Sequence, residues 1–263
     1  MAELRRCPVC GEMVEKILPF PVLDGSGRTE SKIVNVMCRC RREEEKKQRE
    51  RLEREERMRK LAELKRLSLI DERLKDVNFT TYEVTQDNEK LIALARKYVS
   101  NFDTMKKKGQ GILFYGDVGT GKSFTAAAIA NELLMQMRPV IMTSFIRLLE
   151  ELRKFNDDAA ELYIDKLNNA DLLIVDDLGA ERGTDFALEK VYDVVDSRYR
   201  SGKPMILTTN LEVSFMRQCS DIRYSRIYDR IFEMCYPVKA AGPSWRKRKA
   251  VTRFDEMKKL LET

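Results

Sequence analysis

Five short apolar runs punctuate the chain from residue 111 onward: Gly111–Tyr115, Pro139–Thr143, Asp171–Asp177, Pro204–Asn210 and Cys235–Val238. Each reads as a strand. In Gly111–Tyr115 and Asp171–Asp177 the apolar residues follow one another without alternation, as in a parallel strand buried on both faces. The segments between them carry apolar residues at helical spacing. Phe124 to Met137, rich in Ala, Leu and Met, reads as a helix. Phe145, Leu148, Leu149, Leu152 and Phe155 form a core stripe. Upstream, Asn88 to Phe102 carries Leu91, Ile92, Leu94, Ala95, Tyr98, Val99 and Phe102 on overlapping helical positions, with Asp87 or Gln86 near its cap. Lys106-Lys107-Lys108-Gly109 reads as a basic turn before the first strand. Strands alternating with helices predict an α/β domain around a parallel sheet.

One junction carries the chemistry. Gly116-Asp117-Val118-Gly119-Thr120-Gly121-Lys122-Ser123 matches G-x-x-x-x-G-K-[ST] in full. It lies between a strand and a helix, the context the motif requires. Its glycines let backbone N–H groups turn toward an anion, and the helix N-terminus adds partial positive charge. Lys122 is expected on the β- and γ-phosphates of a nucleotide, and the Ser123 hydroxyl on Mg²⁺. Phe124, the next residue, is grouped with the nucleotide-binding set. Asn78 to Tyr82 leads into this domain and offers an aromatic for the base.

The strand at 171–177 ends in Asp176-Asp177, which places two carboxylates at the sheet edge where open α/β sheets bind ligands. Asp176 is the expected Mg²⁺ anchor, acting through water. Asp177 is expected to orient the attacking water and help deprotonate it. The next strand ends in Thr208-Thr209-Asn210, and Asn210 is expected to bond the γ-phosphate or that water. Arg223, Arg226 and Arg230 share a helical pattern with Ile222, Ile227 and Ile231, the pattern also of a surface salt-bridge face.

The N-terminal part has a different character. Cys7-Pro8-Val9-Cys10-Gly11 is a knuckle-like turn, and Cys38-Arg39-Cys40 follows beyond a turn at Asp24-Gly25-Ser26-Gly27. The chain has no histidine, so a structural zinc here would need all four thiolates, Cys7, Cys10, Cys38 and Cys40. A small disulfide or free-thiol hairpin is the alternative. So small a unit gains from a metal staple. Cys219 and Cys235 read as structural thiols. From Arg41 to Arg66 there are 12 basic and 8 acidic residues. Glu43–Lys47, Glu50–Arg54 and Glu53–Arg57 are spaced to pair along a helix. This helix is either a solvated spacer or a partner-binding arm. No heptad persists, so a coiled coil is not expected.

Charge and cysteine usage refine the picture. The net charge is +6, and Trp245–Arg253 alone carries five basic residues and no acid. That asymmetry points to an anionic partner, nucleic acid first. Nothing is apolar enough to cross a bilayer, and Met1–Arg6 has no apolar stretch of a secretory leader. A cytoplasmic protein with free thiols is expected.

Together these residues resemble the AAA+ ATPases of the DnaC/DnaI helicase-loader family, with the transposition ATPase IstB as a relative. The likeness spans about Phe79 to Trp245 and beyond. It rests on Gly116–Ser123, on Leu172–Asp177 with Leu178-Gly179-Ala180-Glu181, on Thr208-Thr209-Asn210, on Ser225-Arg226-Ile227-Tyr228-Asp229-Arg230 and on Ser244-Trp245-Arg246. The resemblance implies an AAA+ P-loop sheet of five parallel strands in order 5-1-4-3-2, and self-association into an open ring or spiral. It places Asn210 at the sensor-1 position, Arg226 or Arg230 as an arginine finger serving a neighbouring subunit, and Arg246 at sensor 2. It implies ATP and Mg²⁺ as ligands, and a zinc-bearing N-terminal region that binds a DnaB-type replicative helicase. Many relatives have Glu where this chain has Asp177, and the shorter arm predicts slow hydrolysis suited to a switch. The expected layout is a zinc region at 1–42, a charged helical linker at 43–76 and the ATPase domain at 77–263. The expected function is loading a helicase onto single-stranded DNA. An IstB-like regulator of transposition on duplex DNA is the alternative, and a zinc-nucleated adaptor with a merely structural nucleotide site is a third reading.

Overall fold

The computed structural model describes residues 4–21, 29–180 and 184–262. The expected turn at Asp24–Gly27, the first three residues and Glu181 lie outside the described residues. The chain divides into two compact units, Met1–Lys60 and Leu61–Thr263.

The first unit opens on a cysteine turn. The Cys7 N–H donates to the Glu12 carbonyl at 2.8 Å, and the Gly11 N–H to the Cys7 carbonyl at 2.9 Å. Gly11 sits at φ 71°, a left-handed value that glycine adopts without strain. Strands β1 (Glu15–Pro21) and β2 (Thr29–Asn35) pair antiparallel, with Ile17 opposite Ile33. The Arg5 guanidinium grips the Glu15 carboxylate at 2.5 Å. The Arg5 backbone N–H first, and that guanidinium bond after it, hold the Glu15 carboxyl below its ordinary range. Helix α1 (Arg39–Leu67) begins between Cys38 and Cys40.

None of the three expected i,i+4 pairs on α1 closes among the described residues. The acids turn the other way, in Lys46–Glu50 at 3.9 Å, Arg49–Glu53 at 3.9 Å and Arg51–Glu55 at 2.8 Å. Glu43, Glu50 and Glu53 each have a base both four residues before and four residues after them. The energies that choose between such exposed partners are only about 0.3–0.5 kcal/mol.

In the second unit, residues 72–74 form a single 3₁₀ turn, followed by α2 (Glu89–Ser100) and α3 (Phe102–Lys108). The helix expected over about 88–102 is α2, which ends at Ser100; Asn101 separates it from the short α3. The three lysines expected in a turn are the last turn of α3. Lysine is a good helix former, its charge suits a helix C-terminus, and Gly109 at φ 64° supplies the left-handed stop. The cap of α2 is Asn88 rather than Asp87 or Gln86. Its buried side chain accepts from the Thr85 N–H at 2.8 Å.

Then come β3 (Gly111–Tyr115), α4 (Lys122–Met135), β4 (Val140–Ser144), α5 (Phe145–Leu152) and α6 (Asp157–Asn169). They are followed by β5 (Leu172–Leu178), α7 (Asp185–Arg200), β6 (Met205–Thr209) and α8 (Val213–Arg217). The chain closes with α9 (Ile222–Met234), β7 (Cys235–Lys239) and α10 (Trp245–Leu261). Strands β3 to β7 form one parallel sheet in order β4-β5-β6-β3-β7. Counted from β3, this is the order 5-1-4-3-2. The fold is that of an AAA+ ATPase domain.

Alternation along the strands explains why both faces are covered. Ile112, Phe114, Val140, Met142, Leu172, Ile174 and Ile206 face a core built with α2 and α4. Leu113, Ile141, Leu173, Val175, Met205 and Leu207 face a second core built with α5, α7 and α9. A strand that is buried on both sides must be apolar at every position, the pattern seen in the sequence. At Gly111 the backbones of β3 and β6 approach so closely that a Cβ would lie 1.7 Å from the Met205 carbonyl oxygen.

The end of the sheet opposite the glycine loop is held by a fully buried arginine. Arg198 donates to the carbonyls of Pro204, Asn168, Ala170 and Asp171 at 2.7–3.3 Å. These bonds tie the end of α6 to the starts of β5 and β6. Burial lowers its pKa to about 10, still high enough to keep it charged at neutral pH.

Candidate functional site: a phosphate loop with two acids

The loop between β3 and α4 is shaped by three left-handed glycines, Gly116, Gly119 and Gly121, with φ between 85° and 127°. Gly121 is the residue before α4, so the helix N-terminus opens directly under the loop. Lys122 is 5% exposed. Its ammonium donates to the Gly116 carbonyl at 2.7 Å, the Asp117 carbonyl at 2.8 Å and Asn210 Oδ1 at 2.8 Å. Burial lowers its pKa, and Asp177, Asp176 and Asp117 oppose that shift. The Thr120 hydroxyl closes the loop on the Asp117 carbonyl at 2.9 Å. Val118 stands exposed at its crest.

The loop has two braces. The Trp245 N–H, first in α10, donates to the Gly119 carbonyl at 2.9 Å. Arg246 follows on the same turn, is exposed, and acts electrostatically on Lys122. A second brace comes from Tyr82, whose hydroxyl meets the Thr125 hydroxyl at 2.8 Å. The Tyr82 ring also packs edge-on against Phe124, with centroids 4.9 Å apart. Phe124 is therefore occupied by an aromatic neighbour beside the loop. The sequence points to an aromatic here without choosing Tyr82; a tyrosine paired in space with a threonine 43 residues away leaves no local signal.

The acids arrive from β5. Asp176 accepts from the Thr208 hydroxyl at 2.5 Å, and Ser123 bonds its carboxylate as well. Desolvation nevertheless raises the Asp176 pKa, and the neighbouring Asp177 charge raises it further. A hydroxyl on the first turn of α4 and a carboxylate at the end of β5 thus share one half-buried spot. Oxygen donors of this kind fit Mg²⁺ bound with a nucleotide. In the sequence Thr208 is only part of a polar strand end. A threonine on the strand that follows an acid pair is the one signal available for its role.

The second cluster lies in the N-terminal unit. The sulfurs of Cys7, Cys10, Cys38 and Cys40 all lie within 4.8 Å of one another. Cys7 and Cys40 are 3.5 Å apart, and Cys38 and Cys40 3.2 Å. Four thiolates on a tetrahedral ion with ~2.3 Å bonds would stand about 3.8 Å apart, so the group could hold a metal ion. The short Cys38-x-Cys40 spacing is accommodated because the two cysteines straddle the start of α1. Backbone N–H groups of Cys10 and Val9 lower the Cys7 thiol to about 6. Backbone N–H groups of Glu12 and Cys40 lower Cys10. The surrounding sulfurs, Cys38 first, push Cys40 up. Cys235 is buried apart from this group and is pushed up to about 12 by burial alone.

With both sites laid out, the sequence profile of the IstB-like ATP binding protein family matches residues 29–252. The chain belongs to that family. Among relatives, this IstB-like protein is 30% identical over 155 residues to the phage-like element PBSX protein XkdC of Bacillus subtilis. That match covers 56% of this chain and 58% of XkdC. It is 28% identical over 184 residues to the replicative helicase loader DnaC of Escherichia coli K12, covering 68% of this chain and 73% of DnaC. The crystal structure of DnaI superposes with TM-score 0.56 at 22% identity, covering 69% of this chain and 98% of that one. At that identity the structural likeness speaks for the fold.

The arginines of the IstB-like domain are now separable. Arg230 binds Asp196 at 2.6 Å and lies over the rings of Tyr192 and Tyr199, at 4.7 and 5.9 Å. Asp196 also accepts from Arg200 at 2.8 Å. Arg223 is spent on Asp221 at 2.8 Å and Asp185 at 2.9 Å. Arg226 is exposed and has no ion pair among the described residues.

The raised Asp176 pKa has a consequence for stability. The folded state holds this proton at higher pH than the unfolded chain does. The charge therefore costs stability above the folded pKa, and that cost vanishes below the unfolded pKa. Asp176→Asn keeps an oxygen for the Thr208 hydroxyl, and Asp177 and Asp117 remain to hold Lys122 charged. At pH 7 in chelator the variant is expected to melt a few degrees higher than the parent. The gain should shrink as the pH falls through the aspartate range. A lower melting temperature at pH 7 would show that the carboxylate is net stabilising.

Proposed function

We propose that this protein is an ATP-dependent loader of a replicative helicase, working in the cytoplasm as a slow nucleotide switch. The observation that carries this reading is the division of labour between its two units. One is an AAA+ domain with an assembled phosphate loop, and the other is a cysteine-clasped module without nucleotide chemistry. Kinship with a protein named as a replicative helicase loader supports it.

In this reading Gly116–Ser123 and Phe124 hold ATP, with Lys122 on the β- and γ-phosphates. Ser123 and Asp176 hold Mg²⁺, which neutralises developing phosphate charge when bound. Asp177 orients and helps deprotonate the attacking water, and Asn210 monitors the γ-phosphate end. Arg246 contacts the nucleotide from the first turn of α10. The unpaired Arg226, rather than the engaged Arg230, reaches the site of a neighbouring copy in a ring or spiral. Lys122→Ala is expected to abolish ATP hydrolysis by removing a phosphate contact, and Arg226→Ala by removing the finger. Mixing the two should restore activity, because one interface then combines an intact loop with an intact finger. No recovery at any ratio, in a preparation whose parent hydrolyses ATP, would remove Arg226 from this role.

Zinc is the ion we assign to Cys7, Cys10, Cys38 and Cys40. Up to Lys60, the buried described residues are Cys7, Glu15 and Cys38, so apolar burial supplies little of what orders this unit. Elemental analysis should give about one zinc per chain, as a four-thiolate site implies. Cys40→Ser should lose it, whereas Cys219→Ser and Cys235→Ser should not. A metal-free protein with an intact N-terminal unit would end the assignment.

The partner reading is tested on the full chain. It should bind the replicative helicase of its own genome, and bind single-stranded DNA more tightly with ATP than with ADP. That affinity should fall as salt rises. Ile17 and Ile33, cross-strand neighbours 54% and 51% exposed on the hairpin, are a surface available to the helicase. Replacing both by Asp should weaken helicase binding at least ~10-fold without changing ATP affinity. The second reading, a transposition regulator on duplex DNA, rests on the resemblance to IstB, whose name the matching family carries. Preference for duplex DNA without helicase contact would select it.

A further inference from the structure

Strands β5 and β6 fall out of step where the acids stand. Val175 pairs with Leu207 and Leu178 with Thr209, so two residues of β5, Asp176 and Asp177, lie opposite the single residue Thr208. In a regular strand consecutive side chains point to opposite faces. A bulge suspends that rule and re-aims a side chain. Asp177 takes up the irregularity at φ 58°, a left-handed conformation that a non-glycine residue holds only when its surroundings impose it. The outcome is two adjacent carboxylates that both act on the Lys122 ammonium.

Thr208 is the residue in position to impose this. It is fully buried. Its hydroxyl accepts the Asp177 backbone N–H at 2.9 Å and donates to Asp176 Oδ1 at 2.5 Å. One oxygen thereby uses its proton on one acid and a lone pair on the backbone of the other. The next threonine secures the residues that follow. Its hydroxyl, that of Thr209, donates to the Leu178 carbonyl at 2.7 Å and accepts the Leu211 N–H at 3.0 Å. The irregular segment is stitched to β6 by side chains where the ladder's own bonds lapse.

We propose that Thr208 is the positioning residue of the nucleotide site, its buried hydroxyl fixing the bulge that presents Asp176 and Asp177 together. It touches neither nucleotide nor reacting water and acts through the two acids. This rests on the roles given above to Asp176 and Asp177. The prediction is specific to the hydroxyl. Valine has the same shape, but it leaves the Asp177 N–H without an acceptor and Asp176 without a donor. Serine keeps both bonds.

The test compares Thr208→Val and Thr208→Ser with the parent in steady-state ATP hydrolysis and in Mn²⁺ binding with ADP present. For Thr208→Val, kcat should fall about 10–100-fold with KM for ATP changed less than about 3-fold, and Mn²⁺ affinity should weaken about 5-fold or more. Thr208→Ser should stay within about 3-fold of the parent on every measure. A Val variant with parental kcat and Mn²⁺ affinity overturns the proposal. So does a Ser variant as impaired as the Val variant, since the methyl group would then be what matters. Should the Val variant fail to fold, Thr208→Ala takes its place under the same criteria. Should the parent hydrolyse no ATP, the ATPase reading fails while the Mn²⁺ comparison still decides the role of Thr208.

Discussion

A buried ammonium needs an acceptor for each of its three N–H groups, and this domain supplies three from two different places. Lys122 is bonded by Gly116 and Asp117 of its own loop and by Asn210 at the end of β6. Without them, desolvation would push the lysine toward its neutral form and the loop would lose its charge. The arrangement ties three elements together: the loop, helix α4, and the strand that follows the acids in the sheet. It also makes the site responsive. A phosphate that takes the Lys122 donors must take them from carbonyl oxygens and from Asn210. The amide freed in this way stands at the tip of β6, one residue from Thr209 and two from Thr208. In the nucleotide reading proposed above, occupancy of the loop would thereby be felt at the sheet end that carries the acids.

The acids impose the opposite problem. Two carboxylates side by side repel, and burial raises the cost of charging Asp176. What holds them is Thr208 from the facing strand, whose hydroxyl bonds the Asp176 carboxylate and the Asp177 N–H, with Ser123 from the helix on Asp176 as well. Hydroxyls bond a carboxylate without neutralising it, so the charge stays available to a divalent cation. The site therefore gives up stability in the free protein to keep an anionic pair ready, a common trade at functional sites.

How much of this is legible in the sequence differs from feature to feature, for physical reasons. The sheet is legible because strands covered on both faces must be apolar throughout, and the loop because its chemistry demands fixed residues at fixed spacing. The strand order comes through resemblance, since hydrophobic pattern does not record which strand lies beside which. The bulge at Asp176–Asp177 is invisible: a one-residue slip between β5 and β6 depends on both strands at once. The ion pairs of α1 are mispredicted because each acid in the expected pairs, Glu43, Glu50 and Glu53, has an equivalent base on either side. Lys106–Lys108 misleads because a run of lysines reads as solvated whether it is a turn or a helix end. There Gly109, the stop signal, is the better guide. Arg226 and Arg230 carry the same spacing and chemistry on α9. Only the placement of Asp196, Tyr192 and Tyr199 on α7 distinguishes the engaged arginine from the free one.

The N-terminal unit obeys a different physics from the domain that follows. In the second unit most side chains on β3 to β6 are buried, and order follows from apolar area removed from water. Up to Lys60, by contrast, two of the three buried described residues are cysteines and the third is Glu15, held by Arg5. Apolar side chains such as Ile17, Leu18, Phe20 and Ile33 stand exposed on the hairpin instead of forming a core. A unit whose buried described residues are two cysteines and an ion-paired glutamate need not use its apolar residues internally. They are left for a surface, and an apolar surface on a small unit is what a protein partner recognises. If a metal draws the thiolates together, that surface exists only while the metal is bound. Partner binding and metal content then become one property of the same 60 residues, separable from anything that happens at Lys122.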